Sequence, residues 1–404
     1  MPQPLSPAAI ALVKASIPAL AEHGTAITTA MYARLFQDDH IRALFNHANQ
    51  GGNGAQVHAL AAAILGYASN IDNLGALAPV VERIAYKHVG YHILPEHYPY
   101  VATALLGAIK EILGDAATDE LLAAWGEAFW FLADVLKARE LVLRDEIMTA
   151  QGGWTGWRRF VVAERIRESS HITSFVLRPE DGRPVLRHKA GQYLTFRLKP
   201  SGRPELKRNY SISCGPNGGH YRISVKREES GQGGSRFLHD QVQIGDVLET
   251  TPPSGDFHLP DAPTRPVILL SGGVGLTPMV SMAERIAHDL DEIPAYFVHG
   301  TLNGETHAMA SHMRALAGRA GNLRVATFYS EPAETDVLGT SHEGEGFVSV
   351  DWLTRHTPLA EADVFLCGPR PFLHFYVREL TLAGVPSNCI HYEFFGPADE
   401  LVAA

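Results

Sequence analysis

Arg208-Asn209-Tyr210-Ser211 closes an aromatic-rich strand pattern, and the rest of the chain can be ordered around it. Short β-rich runs surround it at Phe160–Val162, Ile172–Leu177, Tyr193–Leu198, Tyr221–Lys226 and Val247–Thr250, separated by Gly, Pro and Asn turns. Such a density of short strands predicts an antiparallel β-barrel. After Pro263 the rhythm becomes strand–helix–strand, with Val267–Leu270, a helix from Thr277, Tyr296–Val298, a helix near His307–Leu316 and then Val364–Leu366. That alternation predicts an α/β domain with a parallel sheet. Upstream lies a glycine-rich joint, Gln151-Gly152-Gly153-Trp154-Thr155-Gly156-Trp157, and before it the periodicity is helical throughout. The expectation is a multidomain chain: an all-α domain over residues 1–148, an antiparallel β-barrel over 149–262 and a parallel-sheet α/β domain over 263–404.

In the helical part, Val57, Leu60, Ala61, Ile64, Leu65 and Ala68 recur at helical spacing, as do Trp125, Phe129, Leu132, Leu136 and Leu143. Pro99 is suited to open a helix, and Thr118 before Asp119-Glu120 reads as an N-terminal cap. The chain has 404 residues, 46% of them hydrophobic and 19% charged, which belongs to a globular protein. Its net charge of −10 argues against a general nucleic-acid binder. No apolar run is long enough for a membrane span, and Met-Pro-Gln-Pro-Leu-Ser lacks the pattern of a signal peptide. Three cysteines without a Cys-x-x-Cys motif fit a reducing cytoplasm and exclude a cysteine-ligated zinc finger or a covalently attached c-type haem.

Several short segments carry chemistry. Arg208 alone reads as a surface strand charge. In company with Tyr210, Ser211, the Gly233-Gly234-Ser235 turn, whose amides precede a helix, and the motifs further on, it reads instead as a cation available to a bound anion. Gly273-Val274-Gly275-Leu276-Thr277-Pro278 lies between an apolar strand and a helix, where a dinucleotide loop must lie, although a tight turn would have the same look. His88 shares a helical face with Val81, Ile84 and Ala85, so its imidazole points inward. A satisfied core histidine is the competing reading. Glu140 continues the apolar line Leu132, Leu136, and a carboxylate there is expensive unless hydrogen-bonded.

The Arg-x-Tyr-Ser strand, the glycine turn and the late Cys-Gly-Pro resemble the ferredoxin-reductase type of flavoprotein. The resemblance implies that Arg208 neutralises the FAD pyrophosphate, that Tyr210 and Tyr193 pack on the flavin, and that Asn209 and Ser211 complete that edge. It places Cys367, Gly368 and Pro369 on the nicotinamide side, with Phe394, Phe395, Gly396 and Pro397 where nicotinamide enters. Relatives often carry an Arg after the strand corresponding to Phe297-Val298-His299-Gly300; Thr301-Leu302 stand here, which favours NADH over NADPH. The helical part resembles a globin, with His88 as proximal ligand, Tyr32, Gln56 and Leu60 distal, and Phe45 packed on the haem.

Taken together, residues 5 to 400 resemble a flavohaemoglobin, a globin fused to an FAD- and NAD-binding reductase. The family implies one haem b, one FAD and NAD(P)H as donor. Its activity is nitric oxide dioxygenation, which converts NO and O₂ to nitrate. Tyr98 and Glu140 are then partners of the proximal His88, and Lys87 and Glu393 tune the two potentials. The family also implies a cytoplasmic monomer that takes NO, O₂ and NAD(P)H, with room for a lipid or apolar ligand in the distal pocket. A gas sensor and a general flavin or haem reductase are the alternative readings. Gln50-Gly51-Gly52-Asn53-Gly54-Ala55 is one residue longer than the family pattern.

Overall fold

A computed structural model of the chain describes residues 4–45, 55–229 and 233–395. The described residues up to Thr149 and those from Ala150 onward form two compact units.

The first unit is helical: α1 (Pro7–Ala15), α2 (Ile17–Leu35), α3 (Asp39–Arg42), α4 (Ala55–Ser69), α5 (Ala78–Gly90), α6 (Tyr98–Leu113) and α7 (Asp119–Thr149). Local chemistry starts these helices where it is expected to. The Ser6 hydroxyl accepts the Ala9 N–H at 3.1 Å with Pro7 opening α1, and Thr118 Oγ1 accepts the Leu121 N–H at 3.2 Å ahead of α7. Pro99 occupies the first turn of α6, where its missing N–H costs nothing. One core runs through Val13, Ile27, Met31, Leu35, Ile109, Trp125 and Ala128. The Thr28 hydroxyl donates to the Val57 carbonyl at 3.1 Å and ties α2 to α4.

The second unit holds two six-stranded sheets. The first uses β1 (Arg158–Arg167), β2 (Ile172–Pro179), β3 (Tyr193–Leu198), β4 (Leu206–Ser211), β5 (Tyr221–Lys226) and, after α8 (Gly234–Asp240), β6 (Val247–Thr250). It is antiparallel in the order β4-β3-β6-β1-β2-β5, with Phe160, Phe175, Phe196 and Tyr221 fully buried inside its curl. The expected antiparallel β-barrel is present as a curled sheet that does not close. β4 and β5 are joined only by the isolated bridge Ile212↔Ile223, beyond the end of β4, so the ladder stays open. Only the Ile212–Ser213 segment turns across to β5, where the Ser213 N–H donates to the Arg222 carbonyl at 2.7 Å.

The second sheet comprises β7 (Val267–Gly272), β8 (Ala295–Thr301), β9 (Leu323–Tyr329), β10 (Gly344–Glu345), β11 (Asp363–Cys367) and β12 (Ile390–Glu393). The helices α9 (Leu276–Asp289), α10 (Ala310–Arg319), α11 (Val350–His356) and α12 (Arg370–Leu382) connect them. All pairings are parallel, in the order β10-β9-β8-β7-β11-β12. Every residue of β7 is buried, as befits a central strand covered on both faces. The strand order reverses at β7, between β8 and β11, and such a switch point opens a crevice at the carboxyl ends of the strands.

Candidate functional site

Two sites arise, one in each unit. In the helical unit, α5 presents His88 toward Tyr98, the first residue of α6, and toward Glu140 in the middle of α7. The His88 Nδ1 lies 2.7 Å from Glu140 Oε1 and 3.0 Å from Tyr98 Oη. The Tyr98 hydroxyl donates to the same Oε1 at 2.5 Å. An ionised carboxylate only accepts, so the proton belongs on Nδ1, and Nε2 keeps the lone pair a metal requires. Glu140 is fully buried, and Arg144, one turn on along α7, supplies a guanidinium 3.5 Å from Oε2. The sequence reading missed Arg144, although its spacing of four residues from Glu140 was a usable signal. Arg144 also donates to the Ile93 carbonyl. Burial, and then the charge of Glu140, push the Tyr98 phenol well above its ordinary range, so it stays a donor.

The distal set gathers elsewhere in the same unit. Tyr32 on α2 stacks with Phe36 at 5.4 Å between ring centroids and meets Phe45 edge-on at 5.8 Å. Leu60 on α4 packs against this cluster, and Gln56 lies one turn earlier on α4, half-buried. Around these sites, Phe45, Leu60, Ile64, Val81, Ile84, Ile93, Phe129 and Leu132 are only half-buried. Phe129 and Leu132 pack against both the Tyr32 cluster and the cluster around Tyr98. A helical core normally closes over such side chains. Left half-open beside an imidazole with a fixed tautomer, they form an apolar cradle that fits a flat, greasy macrocycle. Lys87 is exposed next to His88. The lengthened segment before Gln56 lies outside the described residues, except for the backbone of Ala55.

In the second unit, β4 carries Arg208, Asn209, Tyr210 and Ser211, paired with Phe196, Thr195, Leu194 and Tyr193 of β3. Arg208, Tyr210 and Ser211 are half-buried, whereas Asn209 is exposed. The Gly233-Gly234-Ser235 turn reaches them: a Cβ on Gly234 would lie 2.8 Å from Arg208 Cγ and 3.3 Å from Tyr210 Oη. Only glycine permits that approach, which brings backbone amides, a guanidinium and a phenol to one place. The Ser235 hydroxyl accepts the Glu228 N–H at 3.1 Å. Burial raises the Tyr210 phenol and Arg208 partly offsets it. This donor set fits a flavin nucleotide with a diphosphate.

The crevice of the parallel sheet is assembled just as tightly. Cys367 pairs with Ser271 on one side and with Glu393 on the other. A Cβ on Gly275 would lie 2.1 Å from the Cys367 carbonyl oxygen, so the Gly273–Gly275 turn and the Cys367-Gly368-Pro369 loop are in contact. Thr277 Oγ1 donates to the Val274 carbonyl at 3.1 Å and rounds off the turn into α9, where Leu276, Thr277 and Pro278 are buried. Burial, then Glu393, push the Cys367 thiol well above its ordinary range, which makes it packing and not a nucleophile. Phe394 is half-buried and Phe395 is 48% exposed. Gly396 and Pro397 lie outside the described residues.

The chain matches the Globin family over residues 29–136, the Oxidoreductase FAD-binding domain over 159–259 and the Oxidoreductase NAD-binding domain over 269–378. It is 60% identical over 399 residues to a flavohemoprotein of Xylella fastidiosa, covering 99% of each chain. The chain belongs to the flavohemoprotein family. A flavohemoprotein of Rhizobium meliloti is 43% identical over 392 residues, 96% of this chain and 97% of its own. Among solved structures, the flavohemoglobin of Malassezia yamatoensis with bound FAD and heme matches with a TM-score of 0.86 at 26% identity, over 97% of this chain and all (100%) of that one. The FAD/NAD-binding domain of a nitric oxide dioxygenase from Vibrio cholerae matches with a TM-score of 0.54 at 35% identity, over 59% of this chain and 99% of that one. Membership makes this chain an oxidoreductase with a globin, an FAD-binding and an NAD-binding domain. Among the described residues, no helix is long and apolar enough to cross a membrane.

Proposed function

We propose that this flavohemoprotein is a nitric oxide dioxygenase that draws electrons from NADH. The observation that carries the reading is the His88–Tyr98–Glu140 cluster, with distances of 2.7, 3.0 and 2.5 Å and a fully buried carboxylate, in a chain that also has an FAD-binding and an NAD-binding domain. A storage globin has no need of a reductase in the same chain. Glu140 accepts the Nδ1 proton and lends the imidazole anionic character, which makes Nε2 a stronger donor to iron. Tyr98 fixes the carboxylate's orientation, and Arg144 offsets its charge. On the distal side Tyr32 is assigned to donate a hydrogen bond to the gaseous ligand, with Gln56 assisting and Leu60 and Phe45 keeping the space apolar.

In the reductase, Arg208 and the amides of Gly233–Ser235 are assigned to the FAD diphosphate, and Tyr193, Asn209, Tyr210 and Ser211 to its ring edge. The turn Gly273–Pro278 and the loop Cys367–Pro369 are assigned to the nicotinamide nucleotide, with Phe394 and Phe395 at its entrance. Thr301-Leu302 offer no cation to a 2′-phosphate, which supports NADH. Lys87 and Glu393 are assigned to tuning of the haem and flavin potentials. When bound, FAD accepts a hydride and releases electrons singly, and haem supplies the iron at which two NO, two O₂ and one NADH yield two nitrates. The direct test is NO consumption in aerated buffer with NADH, with and without His88→Ala. Loss of NO consumption in the variant, with NADH-to-ferricyanide electron transfer retained, is the expected result. NO consumption at the parental rate in the variant would transfer the activity to the flavin and overturn the proposal.

A further inference from the structure

One charged cluster of the second unit lies outside both sites yet touches the elements that build the flavin and nucleotide sites. β4 bears Arg208 to Ser211, and the chain continues through Ile212 and Ser213 to Cys214-Gly215, where it meets α9. α9 itself starts directly after the Gly273–Gly275 turn. On α9, Ser281 and Glu284 are one turn apart and face that segment. The Ser281 hydroxyl donates to the Cys214 carbonyl at 2.7 Å. Glu284 Oε2 accepts the Gly215 N–H at 2.6 Å, while its Oε1 accepts from Arg222 of β5 and His312 of α10, each at 2.8 Å. A Cβ on Gly215 would lie 3.0 Å from the Glu284 Cβ, so the loop passes close against α9 and a side chain there would press on it.

The side chains of Glu284 and Arg222 are only 12% and 15% exposed. Burial opposes ionisation of Glu284, but His312, Arg222 and the Gly215 amide outweigh it and hold the carboxyl at about 2. A contact needed only for cohesion is made at lower cost by apolar side chains, since desolvating charges is expensive. What a carboxylate with directed partners adds is register: the Gly215 amide and the Arg222 guanidinium define one position for α9 along the antiparallel sheet, and His312 of α10 holds the carboxylate from its own side.

We infer that Glu284 is a positioning residue for hydride transfer: by fixing α9 against the Cys214-Gly215 segment that follows the flavin strand, it sets where the nicotinamide turn at the head of α9 lies relative to the flavin residues of β4. The inference rests on the nicotinamide-to-flavin reading above. Its test is anaerobic rapid mixing of full-length, FAD-loaded protein with NADH, comparing the parent with Glu284→Gln and Gly215→Ala. The first keeps the volume but removes the charge that faces Arg222 and His312, and the second presses a methyl group against Glu284 and shifts the contact. In both, the limiting rate of flavin reduction is expected to fall about ten- to hundredfold. FAD content and NADH affinity stay parental, and the charge-transfer absorbance of reduced flavin with NAD⁺ is lost. A parental limiting rate with parental charge-transfer absorbance in both variants overturns the inference, as does a rate loss that merely tracks lost FAD. A parent whose flavin NADH does not reduce overturns the underlying reading and this inference with it.

Discussion

Glu140 is the residue on which the helical site turns. Alone on the apolar face of α7, it was conspicuous in the sequence as an expensive carboxylate, and the structure shows what offsets the cost: the His88 imidazole, the Tyr98 phenol and the Arg144 guanidinium. In the sequence His88 and Glu140 stand out because each sits on an otherwise apolar helical face, whereas Tyr98 is reached only through the family resemblance. Glu284 was not legible, because its partners lie 62, 69 and 28 residues away and nothing in a helix of mixed polarity marks it. Glu140→Ala leaves the buried Tyr98 phenol, the half-buried His88 imidazole and a guanidinium without their acceptor, and is expected to destabilise the protein by about 3 kcal/mol in equilibrium unfolding. Haem affinity is expected to fall about ten- to hundredfold with it, read from the rate of haem transfer to an apoprotein acceptor. Parental stability and parental haem retention would show that the carboxylate carries no weight.

At the scale of elements, sequence periodicity located most strands and missed others for physical reasons. Tyr193–Leu198, Tyr221–Lys226 and Val247–Thr250 coincide with β3, β5 and β6, where alternation and turn residues are strong. β10 and β12, the edges of the parallel sheet, span Gly344–Glu345 and Ile390–Glu393 and are too short to announce themselves. The failure of the barrel to close was equally invisible, since it depends on how far the sheet curls and not on any strand's own pattern. The carboxyl ends of β7, β8 and β9 also hold a buried group that local patterns did not single out. His299 accepts or donates at Ser271 Oγ at 2.9 Å, its ring lies 5.3 Å from His307, and His307 meets the Tyr329 hydroxyl at 2.9 Å.

Burial, with some help from neighbouring positive charge, holds His299 at about 3 and His307 at about 4, and burial holds His188 at about 3. Imidazoles in the unfolded chain take up protons near pH 6.5. The unfolded state therefore binds more protons, and the stability these three contribute is present above that pH and lost as pH falls toward their folded values. Lowering the pH from about 7.5 to about 5.5 is expected to remove about 1 kcal/mol per imidazole from the second unit. The measurement is urea unfolding followed through that unit, and His299→Gln should flatten the pH slope. A slope that the substitution leaves unchanged would contradict the assignment.

For the molecule as a whole, two kinds of periodicity meet near the glycine-rich joint in the sequence, and the compact units part between Thr149 and Ala150, just ahead of it. The two sheets of the second unit, distinct by rhythm, share one compact body through the Ser281 and Glu284 contacts. Residues 150–404 expressed alone are accordingly expected to bind FAD and carry electrons from NADH to ferricyanide, while consuming no NO. NO consumption by that fragment would contradict the assignment of the chemistry to the helical unit. The central claim, that nitric oxide and dioxygen are combined at the His88 site, is tested most directly by isotope. The intact, haem- and FAD-loaded protein is supplied with NADH, NO and ¹⁸O₂, and the nitrate is analysed by mass. The account predicts nitrate that carries both oxygen atoms of one O₂ molecule, formed in step with NADH oxidation. Nitrate with one labelled atom or none, or rapid NADH oxidation without nitrate, would contradict it.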